Sequence, residues 1–174
     1  TTYGGRNYST LAVSRPENAD KGDITGIEFN YQQFFNSLPS PFDGLGVNLN
    51  YTITDSSAII PGRAGKVPFF KQSDEIGNIA LVYEKYGIEA RLAYAFNSDY
   101  LDSVGGNPDQ DGYIAERKVL DAKVSYRITP RLRIFAEFLN IEEEPLREFL
   151  GYPSRPSSLE IYSWNANVGI SFNL

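Results

Sequence analysis

The sequence predicts an all-β protein, an antiparallel transmembrane β-barrel of about eight strands. Three observations support this fold class. Apolar and polar residues alternate with a period of two along most of the chain. No segment keeps a helical period over about eleven residues or more. The connections between the alternating segments are short and long in turn, which is typical of barrels that cross a membrane.

Seven segments alternate clearly enough to be predicted as strands, and a weaker one is an eighth candidate. In each strand, successive side chains point to opposite faces, so the ends of the alternation mark the ends of the strand. The predicted strands are residues 23–35, 44–54, 74–85, 87–97, 117–128, 131–150 and 159–174, with the weaker candidate at residues 8–13.

The final segment shows the pattern best. One set of alternate positions is apolar or aromatic: Tyr162, Trp164, Ala166, Val168, Ile170, Phe172 and Leu174. The other set is small or polar: Ser163, Asn165, Asn167, Gly169, Ser171 and Asn173. A strand with this sequence has one apolar and one polar face, whereas a helix would scatter the apolar residues around its surface.

The polar face decides between a membrane barrel and a soluble one. It carries residues that can form ion pairs in mid-strand, as a wet barrel interior would: Glu89, Arg91, Lys123, Arg133 and Glu137. Several segments reach about ten residues, enough for a tilted membrane strand. Tight turns at residues 86–87 and 129–130 and a modest turn at 36–44 alternate with long polar loops at 55–74 and 98–117 and a shorter loop at 15–23. If the final strand runs toward the periplasm, every short turn is periplasmic and every long loop extracellular.

Composition excludes several functions. The chain has no cysteine and no histidine, which removes thiolate metal sites and the commonest general base and zinc ligand. Its net charge of −6 argues against nucleic acid as a partner. We therefore expect no enzyme, no cofactor and no metal centre. Aromatic residues make up 14% of the chain, and in a barrel they would form the girdles at the membrane interfaces.

The best candidates for ligand contact are polar-face residues: Asn50, Arg91, Asn97, Arg117 and Glu137. Ion pairing between neighbouring strands is an equally good explanation for the charged members of that face. Residues 107–112 match the first half of a calcium-binding loop, but Lys118 stands where the closing glutamate is required, so a solvated loop is the better interpretation. The acidic run at residues 142–144 is interpreted as a solvated bulge near the outer rim.

Several strings resemble the C-terminal part of the barrel of TonB-dependent outer-membrane receptors. They are residues 15–28 (RPENADKGDITGIE), 45–52 (LGVNLNYT), 120–141 (LDAKVSYRITPRLRIFAEFLNI) and the closing 167–174 (NVGISFNL). Members of this family usually end in phenylalanine, and Leu174 departs from that pattern.

The resemblance implies that residues 1–174 supply the last third of a barrel of about 22 strands. It also implies that the N-terminal plug that carries the TonB box is absent from them, and the missing initiating methionine agrees with a longer precursor. The expected function is energy-coupled uptake of a siderophore, cobalamin or an oligosaccharide across the bacterial outer membrane. The expected partners are outer-membrane lipid and lipopolysaccharide, the nutrient itself, and the TonB complex through the plug.

Two alternatives remain open at this stage. The first is an autonomous eight-stranded outer-membrane barrel with a structural or adhesive role, since eight strands can close around their own side chains. The second is a soluble β-barrel that binds an apolar ligand.

Overall fold

The computed structural model describes residues 2–7, 9 and 18–173, and these form β-strands and two short 3₁₀ helices, both numbered in chain order. The strands are β1 (Thr2–Tyr3), β2 (Arg6–Asn7), β3 (Lys21–Phe34), β4 (Leu45–Ile59), β5 (Glu75–Lys85), β6 (Ile88–Asn97), β7 (Tyr100–Ser103), β8 (Gly112–Ile114), β9 (Arg117–Arg127), β10 (Leu132–Leu139), β11 (Leu146–Leu150), β12 (Pro156–Glu160) and β13 (Asn165–Phe172). The helices are η1 (Phe42–Gly44) and η2 (Pro108–Gln110). Neither helix in this part of the chain is long and apolar enough to cross a membrane. The candidate strand at residues 8–13 lies, except for Ser9, outside the described residues.

Seven strands form one antiparallel sheet in the order β13-β10-β9-β6-β5-β4-β3. Neighbours in the sheet follow one another along the chain, apart from the excursions that separate β6 from β9 and β10 from β13. The sheet is open, with β3 and β13 at its edges. The predicted all-β, antiparallel architecture is therefore confirmed, and the sheet has the form of a segment of barrel wall.

Two predicted strands were too long. β10 ends at Leu139, and Asn140 and Glu143 then adopt positive φ angles of 54° and 56° in a turn. The chain leaves the main sheet there, so residues 146–150 form β11 in a second sheet. Likewise, residues 156–160 form β12 beside β11, and only residues 165–172 of the predicted final strand pair with β10. The apolar–polar alternation continues across these breaks, because it depends on successive side chains of one strand and not on which strand lies beside it.

Strand register puts most of the large apolar residues of the seven strands on one face of the main sheet. One row of paired positions on that face is Val168, Ala136, Val124, Ala90, Tyr83 and Leu45. The row one residue further along, on the opposite face, is Asn167, Glu137, Lys123, Arg91, Val82 and Gly46. No other segment of the described residues covers the apolar face, and Val168 is 82% exposed.

The long connections meet at one end of the main sheet, which we call the loop end. There a second antiparallel sheet forms in the order β12-β11-β8-β7. Its strands come from the β6–β9 and β10–β13 connections, and the β4–β5 connection packs beside them. We call these three connections, residues 60–74, 98–116 and 140–164, the loop cap. Three buried apolar residues, Ala58, Val67 and Leu101, cluster at its base, and Leu101 is 1% exposed. The predicted loops at residues 55–74 and 98–117 are therefore partly strand.

Short connections occupy the opposite, turn end. Tyr86 and Gly87 both have positive φ angles, 56° and 77°, as a two-residue hairpin turn requires. The Thr129 hydroxyl accepts hydrogen bonds from the backbone N–H groups of Arg131 and Leu132 and so closes the next turn. In η1, Asp43 pairs with Lys85, and the hydrogen bond from Lys85 lowers the pKa of this carboxyl. The predicted turns at residues 86–87 and 129–130 are confirmed.

Candidate functional site

All five predicted ligand-contact residues lie on the polar face of the main sheet. Asn97 and Arg117 are register partners next to the loop end. Arg91 lies opposite Lys123, which lies opposite Glu137, so these three share one row near the middle of the wall. Asn50, on β4, belongs neither to that pair nor to that row. These residues share a face because they occupy alternate positions along their strands. Which of them are neighbours depends on how the strands pair.

Ion pairs connect strands β6, β9 and β10 on the polar face. Lys123 Nζ lies 2.5 Å from Glu137 Oε1. Glu89 accepts from Arg133 Nη1 at 2.5 Å and from Arg127 Nη2 at 3.4 Å. These side chains are between about a third and three fifths exposed, so each pair adds little to stability. Their main effect is that each of these five charged side chains has at least one partner of opposite charge.

A ladder of amide side chains occupies the neighbouring strands. Asn50 Nδ2 donates to Asn30 Oδ1 at 2.6 Å and to Glu28 Oε1 at 3.2 Å. Asn30 Nδ2 also donates to Glu28, at 3.0 Å. The register partner of Asn50 on its other side is Asn78. The amide donors of Asn50 are therefore already engaged within the wall, which weakens the case for Asn50 as a ligand contact.

A concavity of about 340 Å³ lies on the polar face between β5, β6, β9 and β10. The small side chains of Ala93 and Ala95 leave the space. Its charged and amide lining consists of Asn78, Arg91, Asp121, Lys123 and Glu137. The structure thus brings two of the predicted residues, Arg91 and Glu137, to one cavity.

A buried ion pair holds the loop cap together, and the sequence analysis did not find it. Arg63 Nη1 and Nη2 donate to the two carboxylate oxygens of Asp111 at 2.7 and 2.6 Å, and the two side chains are only 7% and 4% exposed. Gly105 N donates to the same carboxylate at 2.8 Å, and Gly105 O accepts from Arg63 at 3.2 Å. The hydrogen bonds from Arg63 lower the pKa of Asp111. No local motif signals a contact between residues 48 positions apart.

The same contacts involve residues 107–112, the segment that resembles the first half of a calcium-binding loop. Arg63 occupies both carboxylate oxygens of Asp111, and Asn107 Oδ1 accepts from the backbone N–H of Asp109 at 3.0 Å. Residues 108–110 form η2 rather than a cation-binding loop. Among the described residues, no group of three acidic, histidine or cysteine side chains could hold a metal ion.

An apolar cavity of about 470 Å³ lies at the base of the loop cap. The aromatic ring of Phe69 packs onto Gly22, where a Cβ would come within 2.9 Å of the ring. Gly22 lies on the same face of β3 as Glu28 and Asn30, which is the polar face. The β4–β5 connection therefore folds over the polar face and not over the apolar one. The cap therefore covers part of the space that the polar face borders.

Comparison with known proteins adds the family. The family model for the β-barrel of TonB-dependent receptor-like proteins matches residues 1–141. Searches of curated proteins and of solved structures each returned no match. The match agrees with an antiparallel sheet that is apolar on one face and polar on the other. The family consists of outer-membrane transporters of Gram-negative bacteria, not of enzymes. This chain belongs to the TonB-dependent receptor family and forms part of its β-barrel.

Proposed function

We propose that residues 1–174 are the C-terminal wall of a TonB-dependent transporter that takes up a siderophore, cobalamin or an oligosaccharide. The observation that carries this proposal is the charged and amide-rich polar face, partly covered at one end by the loop cap. In a closed barrel this face would line the lumen, and the apolar face would meet lipid. Further strands of the same receptor would join the open edges at β3 and β13.

The proposal assigns a role to each end of the wall. The loop cap would face the cell exterior, near lipopolysaccharide, and the turn end would face the periplasm. Arg91, Asn97, Arg117 and Glu137 would contact the nutrient on its way through the lumen, and Asn50 would mainly support the wall. The plug that couples to the TonB complex would belong to another part of the receptor.

The predicted alternative of an autonomous eight-stranded barrel stays open. Among the described residues, β3 and β13 lie at opposite edges of the sheet, and closure of that barrel would depend on the candidate strand at residues 8–13. Nothing in the described residues favours the soluble barrel, because an apolar face with Val168 82% exposed would be left in water.

Uptake measurements test the transport proposal. A strain that lacks the complete receptor should lose growth on one of the three nutrient classes, and expression of the receptor should restore it. Restoration should fail in a strain without TonB and in the presence of a protonophore. Growth that the receptor restores equally well without TonB would contradict energy-coupled transport. A defect in envelope integrity or adhesion, with no uptake defect, would favour the structural alternative.

A further inference from the structure

Charged residues at the two ends of β5 mark the limits of its apolar face. Glu75 and Lys85 belong to that face, and the positions between them on the same face are Gly77, Ile79, Leu81 and Tyr83. Ten residues span about 33 Å along a strand, or about 25 Å across a membrane when the strand is tilted by about 40°. Outer-membrane barrels have a lipid-facing band of about this height. In the proposed barrel, Lys85 therefore lies at the level of the lipid head groups, at the turn end.

Lys85 belongs to a cluster of polar side chains. Its Nζ donates to both carboxylate oxygens of Asp43, with Oδ2 at 2.5 Å, and to Ser40 Oγ at 3.3 Å. Ser40 Oγ and Tyr86 Oη share a hydrogen bond of 2.6 Å. η1 packs closely on β5, because a Cβ at Gly44 would come within 2.7 Å of Lys85 Cβ. The Lys85 and Asp43 side chains are 24% and 29% exposed, so one cation and one anion reach the surface side by side.

An apolar groove of about 350 Å³ lies on the same face of the sheet. Its lining includes Leu81, Tyr83, Ala90, Leu92, Ala122 and Phe138. The small side chains of Ala90 and Ala122 leave the space between their larger neighbours. Arg91 and Lys123 also border the groove, but by register their side chains belong to the polar face. The groove therefore opens toward the space that lipid would fill.

The groove and the polar cluster are continuous. Lys85 is the next residue on the apolar face after Tyr83, about 6.6 Å along the strand. From there the groove leads past Ala90 on β6 to Ala122 on β9, toward the middle of the wall. A polar site at the membrane surface followed by an apolar groove has the layout of a phospholipid, with a head group and an acyl chain.

We propose that this surface binds one phosphatidylethanolamine molecule of the periplasmic leaflet, with an acyl chain in the groove. The inference rests on the proposed function, which directs the apolar face toward lipid and the turn end toward the periplasm. Charge complementarity selects the head group. Lys85 and the Ser40 and Tyr86 hydroxyls can donate hydrogen bonds to the phosphate, while Asp43 accepts from the ammonium.

The same complementarity disfavours other phospholipids. The Lys85–Asp43 pair has no net charge, so it gives an anionic lipid no electrostatic advantage. Phosphatidylglycerol would bring its phosphate next to Asp43 without an ammonium to compensate. Phosphatidylcholine has a cation, but its quaternary nitrogen has no N–H to donate to the carboxylate.

Photolabelling tests the proposal in the complete receptor, reconstituted into phosphatidylcholine vesicles. Trace phosphatidylethanolamine or phosphatidylcholine, each with a diazirine on one acyl chain, would be photolysed, and the labelled residues would be mapped by mass spectrometry. The ethanolamine probe should label Leu81, Leu92 and Ala122 about tenfold more than the choline probe, because only ethanolamine donates charge-assisted hydrogen bonds to Asp43. At Val168, on the same face outside the groove, the two probes should label equally. Unlabelled phosphatidylethanolamine should compete, and phosphatidylglycerol should not.

Two alanines of one row provide matched variants. Ala122 and Ala166 both lie opposite Phe138 on the apolar face, but only Ala122 lines the groove. Ala122→Phe should fill the groove and abolish the preference for the ethanolamine probe, whereas Ala166→Phe should keep it. Asp43→Asn should reduce ethanolamine labelling to the level of the choline probe. Heat-modifiable migration on gels would show that each variant is folded, and the comparison of probes in the wild type needs no variant.

Three results would overturn the inference. The first is equal labelling by the two probes in the wild type, which indicates ordinary lipid contact along the wall. The second is a preference that persists in folded Asp43→Asn or Ala122→Phe receptor, and the third is its loss in Ala166→Phe. TonB-dependent uptake without a head-group preference refutes this inference alone. A head-group preference in a receptor that supports no TonB-dependent uptake refutes the transport function alone.

Discussion

Burial separates two kinds of ion pair in this chain. The Lys123–Glu137 pair on the polar face is half-exposed, so solvent screens it and side-chain entropy opposes it. The Arg63–Asp111 pair has two parallel hydrogen bonds and almost no exposed surface, and Gly105 satisfies a further oxygen lone pair. Removing one partner of such a pair leaves a buried charge without compensation. At the scale of single residues, Arg63 and Asp111 are therefore the contact on which the loop cap depends.

Acid should loosen the loop cap through Asp111. Its pKa in the folded protein lies below the usual 3.8, so the contribution of the ionised carboxylate to stability is complete above that value and is lost as the pH falls through the folded pKa. Hydrogen exchange at the Leu101 and Lys71 amides, corrected for the intrinsic rate, should accelerate as the pH falls below the usual carboxyl pKa of 3.8. In the Asp111→Asn variant exchange should be faster at neutral pH and much less dependent on pH. Parallel pH profiles for the two proteins would contradict this role.

At the scale of the strand, a shift of one residue exchanges the chemical surroundings completely. Val168 of β13 lies in the apolar row with Ala136 and Val124, while Asn167 lies opposite Glu137 on the polar face. In the proposed barrel, one set of these side chains would face lipid and the other set would face water.

A charge introduced on β13 should report this difference. Val168→Lys, near the middle of the strand, should destabilise the complete receptor in lipid vesicles by about 2–4 kcal/mol, because the ammonium would lie in the hydrocarbon region. Asn167→Lys, one residue away, should change stability by less than about 1 kcal/mol, since its side chain enters the polar interior opposite Glu137. Urea unfolding, followed by heat-modifiable migration on gels, measures both. Equal effects of the two substitutions would refute the assignment of the faces.

At the scale of the whole molecule, the loop cap joins connections that are far apart in the sequence. β8 pairs with β11, so the β6–β9 and β10–β13 connections share one sheet. The Arg63–Asp111 pair adds the β4–β5 connection. Arg155 Nη1 also donates to Asp109 O at 2.9 Å, between the two sheet-forming connections. The three connections therefore form one connected unit, because each of them contacts at least one of the others.

Cysteine labelling tests the orientation of the molecule. The chain has no cysteine, so single substitutions provide unique labels within it. Ser154→Cys in the loop cap should react with a membrane-impermeant maleimide on intact cells. Ser37→Cys at the turn end should react only after the outer membrane is permeabilised. Both serines are exposed, so intrinsic reactivity is matched. Labelling of Ser37→Cys, but not Ser154→Cys, on intact cells would reverse the proposed orientation.

The candidate site was predictable in part. The two-residue period placed Asn50, Arg91, Asn97, Arg117 and Glu137 on one face, and the structure confirms that shared face. The period could not show that Glu137 neutralises Lys123 while Arg91 has no partner among residues 18–173. That difference depends on which strands are neighbours and on their register, and neither is contained in the alternation of a single strand.

The sequence by itself determined the all-β class, the two faces of each strand and the alternation of short turns with long connections. These follow from local physics, because the strand period and the turn preferences act over a few residues. Only the tertiary structure decided where β10 and β13 end, how the loop cap assembles, and that Arg63 meets Asp111. Those features come from contacts between residues tens of positions apart, and the path of the intervening chain, rather than any local pattern, brings them together.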